Sequence, residues 1–170
     1  MKKMLAVLTA AAAAVSVLTT GCDSSGGEIT VTIVQPMSHT SLDQIRDTII
    51  AELEAAGRDD IRVVTENANN DTTALTTILQ NQRSEGVDIV VPIATNTAQT
   101  AKAVFDGEDT PIIFAAVSDP DAAGLTGSDC QYITGVSNNI PAGEIVELIS
   151  NFQPDFQKIG FLYTSSETNS

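Results

Sequence analysis

The sequence lacks most of the residues and motifs on which enzymes and metal proteins depend. It contains no tryptophan, two cysteines and one histidine, too few ligands for a metal site of the usual histidine and cysteine type. No glycine-rich phosphate-binding loop of either common type is present, and no Gly-x-Ser-x-Gly elbow presents a nucleophile. We therefore expect no cofactor, no metal site and no catalytic residue, and we predict that the chain is not an enzyme.

Basic residues are also scarce. The chain has eight lysines and arginines against 22 aspartates and glutamates, and two of the eight are Lys2 and Lys3 at the amino terminus. Beyond residue 21 this leaves six basic residues against 22 acidic ones, a net charge of −16. A surface this acidic has no basic stripe, so it argues against nucleic acid as a partner and against charge-driven binding to anionic lipid.

The amino terminus has the pattern of a secretory signal peptide. Lys2 and Lys3 precede an apolar, alanine-rich run from Leu5 to Leu18. That run is shorter than the roughly 20 residues that cross a bilayer, so a permanent membrane span is the weaker interpretation. We predict a signal peptide over residues 1–21 and export of the rest of the chain.

Cys22 stands directly after this segment and resembles the cysteine that bacterial lipoproteins acylate. The leucine expected three residues before it is found four before, at Leu18. An ordinary thiol after a plain signal peptide is the alternative. We predict that residues 22–28 are a lipid-anchor cysteine and a glycine- and serine-rich tether, and that this lipid is the only membrane contact. With Cys22 acylated, Cys130 has no partner for a disulfide.

The remainder alternates between strand and helix patterns. Apolar or β-branched runs predict strands over residues 29–34, 61–65, 88–94, 112–117, 132–137 and 158–163. Between most of these strands lie segments whose apolar residues have helical spacing, which predicts helices. We expect Thr40 or Ser41 to cap the first helix and Asn96 or Thr97 to cap the third. Such alternation is typical of an α/β protein with a doubly wound parallel sheet in three αβα layers.

Small polar residues follow the predicted strands, where parallel strands would bring them to one edge of the sheet. The alternative is that such residues populate any loop. His39 is able to donate to a ligand or to fix its own turn, and Asp119 is able to pair with a cationic group or to make a turn bond through its side chain. Both alternatives stay open from the residues alone.

The order of several segments resembles a known family. They are Ile33-Val34-Gln35 with His39 to Asp43, Val87 to Gln99, Pro111 to Pro120, Thr134 to Ser137, and Ile159 to Ser170. Together they resemble the ABC-transporter substrate-binding proteins with a type I periplasmic-binding fold, and more narrowly their tryptophan/tyrosine-type branch.

This resemblance implies two α/β lobes that close about a hinge on a small solute, here an aromatic or other amino acid, and present it to permease and ATPase subunits. It implies a first lobe over residues 29–157 and a crossover strand and truncated second lobe over 158–170. The protein would be lipid-anchored at the outer face of the cytoplasmic membrane, at the cell surface or in the periplasm. A binding protein that feeds a membrane receptor and an exported enzyme are the alternatives.

The resemblance also implies which residues contact the solute. The implied contacts are Gln35, His39, Thr95, Asn96, Thr97, Ser118, Asp119 and Ser137 in the first lobe, and Ser166, Glu167, Asn169 and Ser170 in the second. Helix-start N–H groups and hydroxyls would take a solute carboxylate, and Asp119 or Glu167 its ammonium. Asn96 stands where the family often has proline.

Overall fold

The computed structural model describes residues 27–162, which form five strands and four helices. In chain order they are β1 (Ile29–Gln35), α1 (Thr40–Ala55), β2 (Ile61–Asn67), α2 (Thr72–Glu85), β3 (Ile89–Pro92), α3 (Thr95–Val104), β4 (Ile112–Val117), β5 (Ile133–Ser137) and α4 (Ala142–Phe152). The first five predicted strands are thus present. Each contains the apolar or β-branched run from which it was predicted.

All five strands are parallel and lie in the order β2-β1-β3-β4-β5. The two faces of β1 carry different helices. Val31 and Ile33 pack in a cluster with apolar residues of α1, whereas Val34 packs in a cluster with apolar residues of α2 and α3. The sheet is therefore sandwiched between helices, and the predicted three-layer αβα class with a doubly wound parallel sheet is confirmed.

β4 and β5 pack closely at Gly135. A Cβ added at Gly135 would lie 2.1 Å from the carbonyl oxygen of Phe114 and 2.5 Å from its ring. Since real Cβ atoms do not approach backbone so closely, only glycine fits there. The absence of a side chain at Gly135 lets β5 pair with β4, and this pairing aligns Val117 with Ser137 at the carboxyl ends.

The segment after β5 is packed differently from the rest. Ile145, Leu148 and Phe152 of α4 are 46%, 57% and 83% exposed, and no residue of α4 belongs to a core cluster of the described chain. Residues 158–162 were predicted to begin a sixth strand, but they form no strand here. A strand needs a neighbour for its backbone hydrogen bonds, and none of the five described strands lies beside them. The lobe boundary at residue 157 stays a prediction.

No helix within residues 27–162 is both long and apolar enough to span a bilayer. The predicted signal peptide over residues 1–21 and Cys22 lie outside the described residues, as do the predicted second-lobe contacts Ser166, Glu167, Asn169 and Ser170.

Candidate functional site

The polar residues that follow β3, β4 and β5 meet at one edge of the sheet. The Ala94 N–H donates to the carbonyl of Ala115 at 2.9 Å and links the end of β3 to β4. The Ser137 hydroxyl donates to the carbonyl of Ser118 at 3.3 Å and links the end of β5 to the loop after β4. We call this carboxyl edge the rim; it brings together the residues that follow three neighbouring strands.

The start of α3 is a part of the rim with unused hydrogen-bonding capacity. The helix begins at Thr95 after Ala94, and no side chain caps it. Since the first N–H groups of a helix have no partner inside it, those of α3 are left for a ligand or water. The predicted caps, Asn96 and Thr97, are wrong because both residues lie inside the first turn. Asn96 is exposed.

Two hydroxyls near this helix start have no partner. Thr95 is 6% exposed and Thr97 is fully buried, and neither hydroxyl oxygen makes a hydrogen bond within the described chain. An unpaired buried polar group is unfavourable by roughly 1–3 kcal/mol, so such groups call for an explanation. Water does not reach these oxygens in this structure.

The backbone is strained just after β3, at Ala94, and near the end of β4, at Ala116. Ala94 has φ 75° and ψ 159°, and Ala116 has φ 56°. Residues with a Cβ rarely adopt such angles, and strain of this kind clusters at functional sites. Sequence reasoning missed both residues because alanine carries no signal for positive φ, unlike glycine or asparagine.

His39 and Asp119 both make local turn bonds. The Nδ1 atom of His39 accepts from the Ser41 N–H at 3.3 Å, so His39 itself caps α1 and the predicted caps, Thr40 and Ser41, are wrong. One carboxylate oxygen of Asp119 accepts from the Ala122 N–H at 2.9 Å. Both side chains are exposed at loops of the rim side. The turn roles are present, and solute contact by either residue stays a prediction.

Gln35 lies at the end of β1 but is 1% exposed. Its Nε2 donates to the Met37 carbonyl at 3.0 Å and to Asp43 Oδ1 at 2.9 Å, while its Oε1 accepts from Arg46 Nη1 at 3.1 Å. Hydrogen bonding to Asp47 raises the pKa of Arg46, with Asp43 adding to the effect. The Gln35 amide is thus already occupied within the protein.

An apolar groove meets the rim between α1 and the β4–β5 pair. It is open to solvent and has a volume of about 550 Å³. Ser41, Ser137 and Asn138 line it near the rim, and Ile45 and Ile49 line it along α1. Polar and apolar surface therefore adjoin at this edge.

No group of three or more histidine, cysteine or acidic side chains suited to a metal ion occurs among residues 27–162. The rim instead consists of hydroxyls, amides and helix-start N–H groups. Such groups bind carboxylates and other polar groups of small organic molecules.

A model of the family described as "ABC transporter substrate binding protein" matches residues 30–170. The chain belongs to this family. The resemblance to ABC-transporter substrate-binding proteins is thereby confirmed over nearly all of the described residues.

Individual relatives agree with this assignment. A tyrosine-binding protein of Clostridioides difficile is 32% identical over 99% of this chain and 54% of its own length. The ABC domain from Streptococcus pneumonia in complex with L-Trp is 34% identical with a TM-score of 0.75, over 84% of this chain and 50% of that one. A conserved domain protein of Vibrio cholerae is 29% identical with a TM-score of 0.76, over 84% and 49%. The chain thus spans about half the length of these relatives.

Proposed function

We propose that this chain supplies one lobe of an extracytoplasmic solute-binding protein of an ABC importer, and that its solute is an aromatic amino acid. The family assignment supports solute binding, and relatives that bind tyrosine or L-Trp support the solute class. Hinge closure would then hold the solute between this rim and a second lobe, because contacts made only in the closed state shift the lobes toward it.

The start of α3 carries the proposal. Its N–H groups point along the helix axis at the rim without a side-chain cap, and the helix dipole favours a negative group there. The solute carboxylate would accept from these N–H groups. The Thr95 and Thr97 hydroxyls would gain partners in the bound state, which would remove the penalty of leaving them unpaired.

The other predicted first-lobe contacts would surround this anchor. Ser137, at the end of β5, bonds Ser118 in the loop after β4, and the second carboxylate oxygen of Asp119 would take the solute ammonium. The apolar groove beside the rim suits the aromatic ring. Asn96, which is exposed in the first turn of α3, would add an amide contact. Ser166, Glu167, Asn169 and Ser170 would approach from the second lobe.

Thermal unfolding of the full-length protein with L-tryptophan, L-tyrosine, L-leucine and D-ribose tests this function. A solute that binds only the folded protein stabilises it by about 2.7 kcal/mol at 100 times its Kd, which corresponds to a Tm rise of about 4 °C for a protein roughly twice the length of this chain. We expect that rise with an aromatic amino acid and none with ribose. An unchanged Tm with every amino acid tried would contradict the proposal.

Matched threonine variants locate the site. Thr97→Val removes a hydroxyl at the start of α3, and Thr73→Val makes the same change in the first turn of α2. We expect Thr97→Val to weaken aromatic amino-acid binding about tenfold, since about 1.4 kcal/mol is one hydrogen bond to a charged group. Thr73→Val should bind as the parent does. Equal affinities for all three proteins would place the solute elsewhere.

The membrane attachment rests on sequence. We propose that Cys22 is acylated after cleavage of the signal peptide, and that residues 23–28 tether the lobe to the outer face of the cytoplasmic membrane. Release of a Cys22→Ala variant into the medium or periplasm is the expected result. Permease and ATPase subunits would be the partners that receive the closed protein.

A further inference from the structure

Gln35 was predicted to contact the solute, but its geometry indicates a different role. The side chain is 1% exposed and both of its amide atoms are occupied by protein partners. A ligand at the rim would have to break two or three internal hydrogen bonds in order to reach it. Direct contact is therefore the less favourable use of this residue.

The partners of Gln35 form a closed ring. Gln35 Nε2 donates to Asp43 Oδ1 at 2.9 Å, Arg46 Nη1 donates to the same Asp43 oxygen at 3.1 Å, and Arg46 Nη1 also donates to Gln35 Oε1 at 3.1 Å. Gln35 ends β1, whereas Asp43 and Arg46 lie in the first two turns of α1. The ring thus ties the strand to the helix across the loop that joins them.

That loop carries His39 and Ser38 at the rim side. Gln35 Nε2 also donates to the Met37 carbonyl at 3.0 Å, inside the loop itself. The Asp43 N–H donates to the His39 carbonyl at 2.8 Å, and Asn67 Nδ2 donates to the Ser38 hydroxyl at 2.8 Å. Every one of these bonds fixes the loop before any ligand is present.

We propose that Gln35 is a positioning residue, which acts through Asp43 and Arg46 to hold the β1–α1 loop and His39 in the geometry that the solute meets. This inference rests on the proposed function, because it assigns a role within that same site. The Gln35 amide supplies a donor to Asp43 and an acceptor to Arg46 together. Glutamate would place a second carboxylate against Asp43, and methionine would supply neither bond.

The test compares two buried glutamines of the full-length protein. Gln35→Met breaks the ring, and Gln82→Met alters a glutamine that is 6% exposed in α2 and bonds Thr32 in the body of the lobe. We expect both variants to lower Tm. Only Gln35→Met should weaken binding of L-tryptophan or L-tyrosine in calorimetry, by about tenfold, since the loop must then be ordered on binding.

A second measurement reports on the loop without any ligand. The imidazole resonances of His39 mark the loop in an NMR spectrum, and a His39→Gln variant distinguishes them from those of any other histidine in the full-length protein. Gln35→Met should shift these resonances, whereas Gln82→Met should leave them unchanged. Arg46→Met, a change at a partly exposed residue, serves if Gln35→Met fails to fold.

The outcomes separate the inference from the proposed function. If the parent binds neither amino acid, the proposed solute is wrong, and the His39 resonances still decide whether Gln35 holds the loop. If Gln35→Met binds as tightly as the parent, or if Gln82→Met loses as much affinity, Gln35 has no positioning role. Unchanged His39 resonances in both Gln35→Met and Arg46→Met would also overturn it.

Discussion

Helices α2 and α3 lie side by side on one face of the sheet, and both begin at its carboxyl edge, yet their starts differ. Asp71 caps α2 by accepting from the N–H groups of Thr73 and Ala74 at 2.7 and 3.0 Å. The start of α3 has no such cap, and the hydroxyls of Thr95 and Thr97 beside it have no partner. One helix start is complete within the protein, and the other retains capacity to bind.

The two helices contribute alike to the core and differ only at their starts. Helix α2 contributes Leu75 and Leu79 to the core, and α3 contributes Ala101 and Val104 to the same cluster, so both helices stabilise the lobe. The difference is confined to their first turns. A capped start adds stability, whereas an uncapped start with unpaired hydroxyls gives up some stability that a ligand then restores.

The largest expected effect on stability comes from replacing a buried threonine by valine, once at Thr32, which bonds α2, and once at Thr97, at the start of α3. Thr32 and Thr97 are both fully buried, but the Thr32 hydroxyl donates to Gln82 Oε1 of α2 at 2.5 Å. Thr32→Val leaves that oxygen unpaired and should lower the free energy of unfolding by about 1–3 kcal/mol. Thr97→Val removes an unpaired hydroxyl and should raise it by up to about 1 kcal/mol. Urea unfolding measures both.

Equal destabilisation of the two valine variants would contradict the difference between a paired Thr32 hydroxyl and an unpaired Thr97 hydroxyl. It would mean that the Thr97 hydroxyl has a partner in solution. A serine variant at each position serves as the control, because it keeps the hydroxyl and removes the methyl group. Both serine variants should lose similar stability.

Removal of the Asp71 cap of α2 should have the next largest effect on the free energy of unfolding. Asp71→Ala removes the two bonds to Thr73 and Ala74 and should lower the free energy of unfolding by about 1 kcal/mol. Asp71→Asn keeps an oxygen acceptor and should lose less. Solute affinity should stay at the parental value in both variants. A loss of affinity on removing this cap would show that the α2 start also belongs to the site.

The smallest effect lies near the other end of α3. Lys102 Nζ donates to Asp129 at 2.8 Å, and this bond lowers the pKa of Asp129 below its ordinary value of about 3.9. A lowered carboxyl pKa gives stability that is present above the ordinary pKa and is lost as the pH falls through the lowered one. Asp129→Asn should therefore flatten the loss of stability on acidification below about pH 4.

Unfolding measured from pH 7 to pH 3 checks this expectation. The variant should be slightly less stable than the parent at pH 7 and converge with it at the acid end. Because Asp129 is largely exposed and Lys102 is partly exposed, high salt should reduce the difference at pH 7. A difference that grows toward pH 3 would contradict the assignment of the bond to Asp129.

Much of the fold was predictable because its signals are local. Runs such as Ile29 to Val34 and Ile112 to Val117 predicted strands, and helical apolar spacing predicted the helices between them. The sixth predicted strand stays a prediction: its residues 158–162 form no strand among the described residues, where they have no neighbour to pair with. Pairing depends on residues distant in the chain, which composition does not report.

The convergence of the strand-end loops was predictable, but the bonding of individual residues was not. Parallel strands require their following loops to share an edge, so Thr95, Ser118 and Ser137 were correctly expected to converge. The occupied amide of Gln35 and the positive φ of Ala94 depend on contacts made only after folding. Their residue types give no sign of either.

The uncovered apolar side of α4 has a practical consequence for anyone who purifies this polypeptide. Ile145, Leu148 and Phe152 meet water directly, and contiguous apolar surface drives self-association. Mutual repulsion from the net charge of −14 opposes such association, and at about 0.1 M salt it is screened beyond roughly 10 Å. Dilute, low-salt buffers should therefore keep the chain monodisperse, whereas the salt gradients of ion-exchange chromatography should favour aggregation.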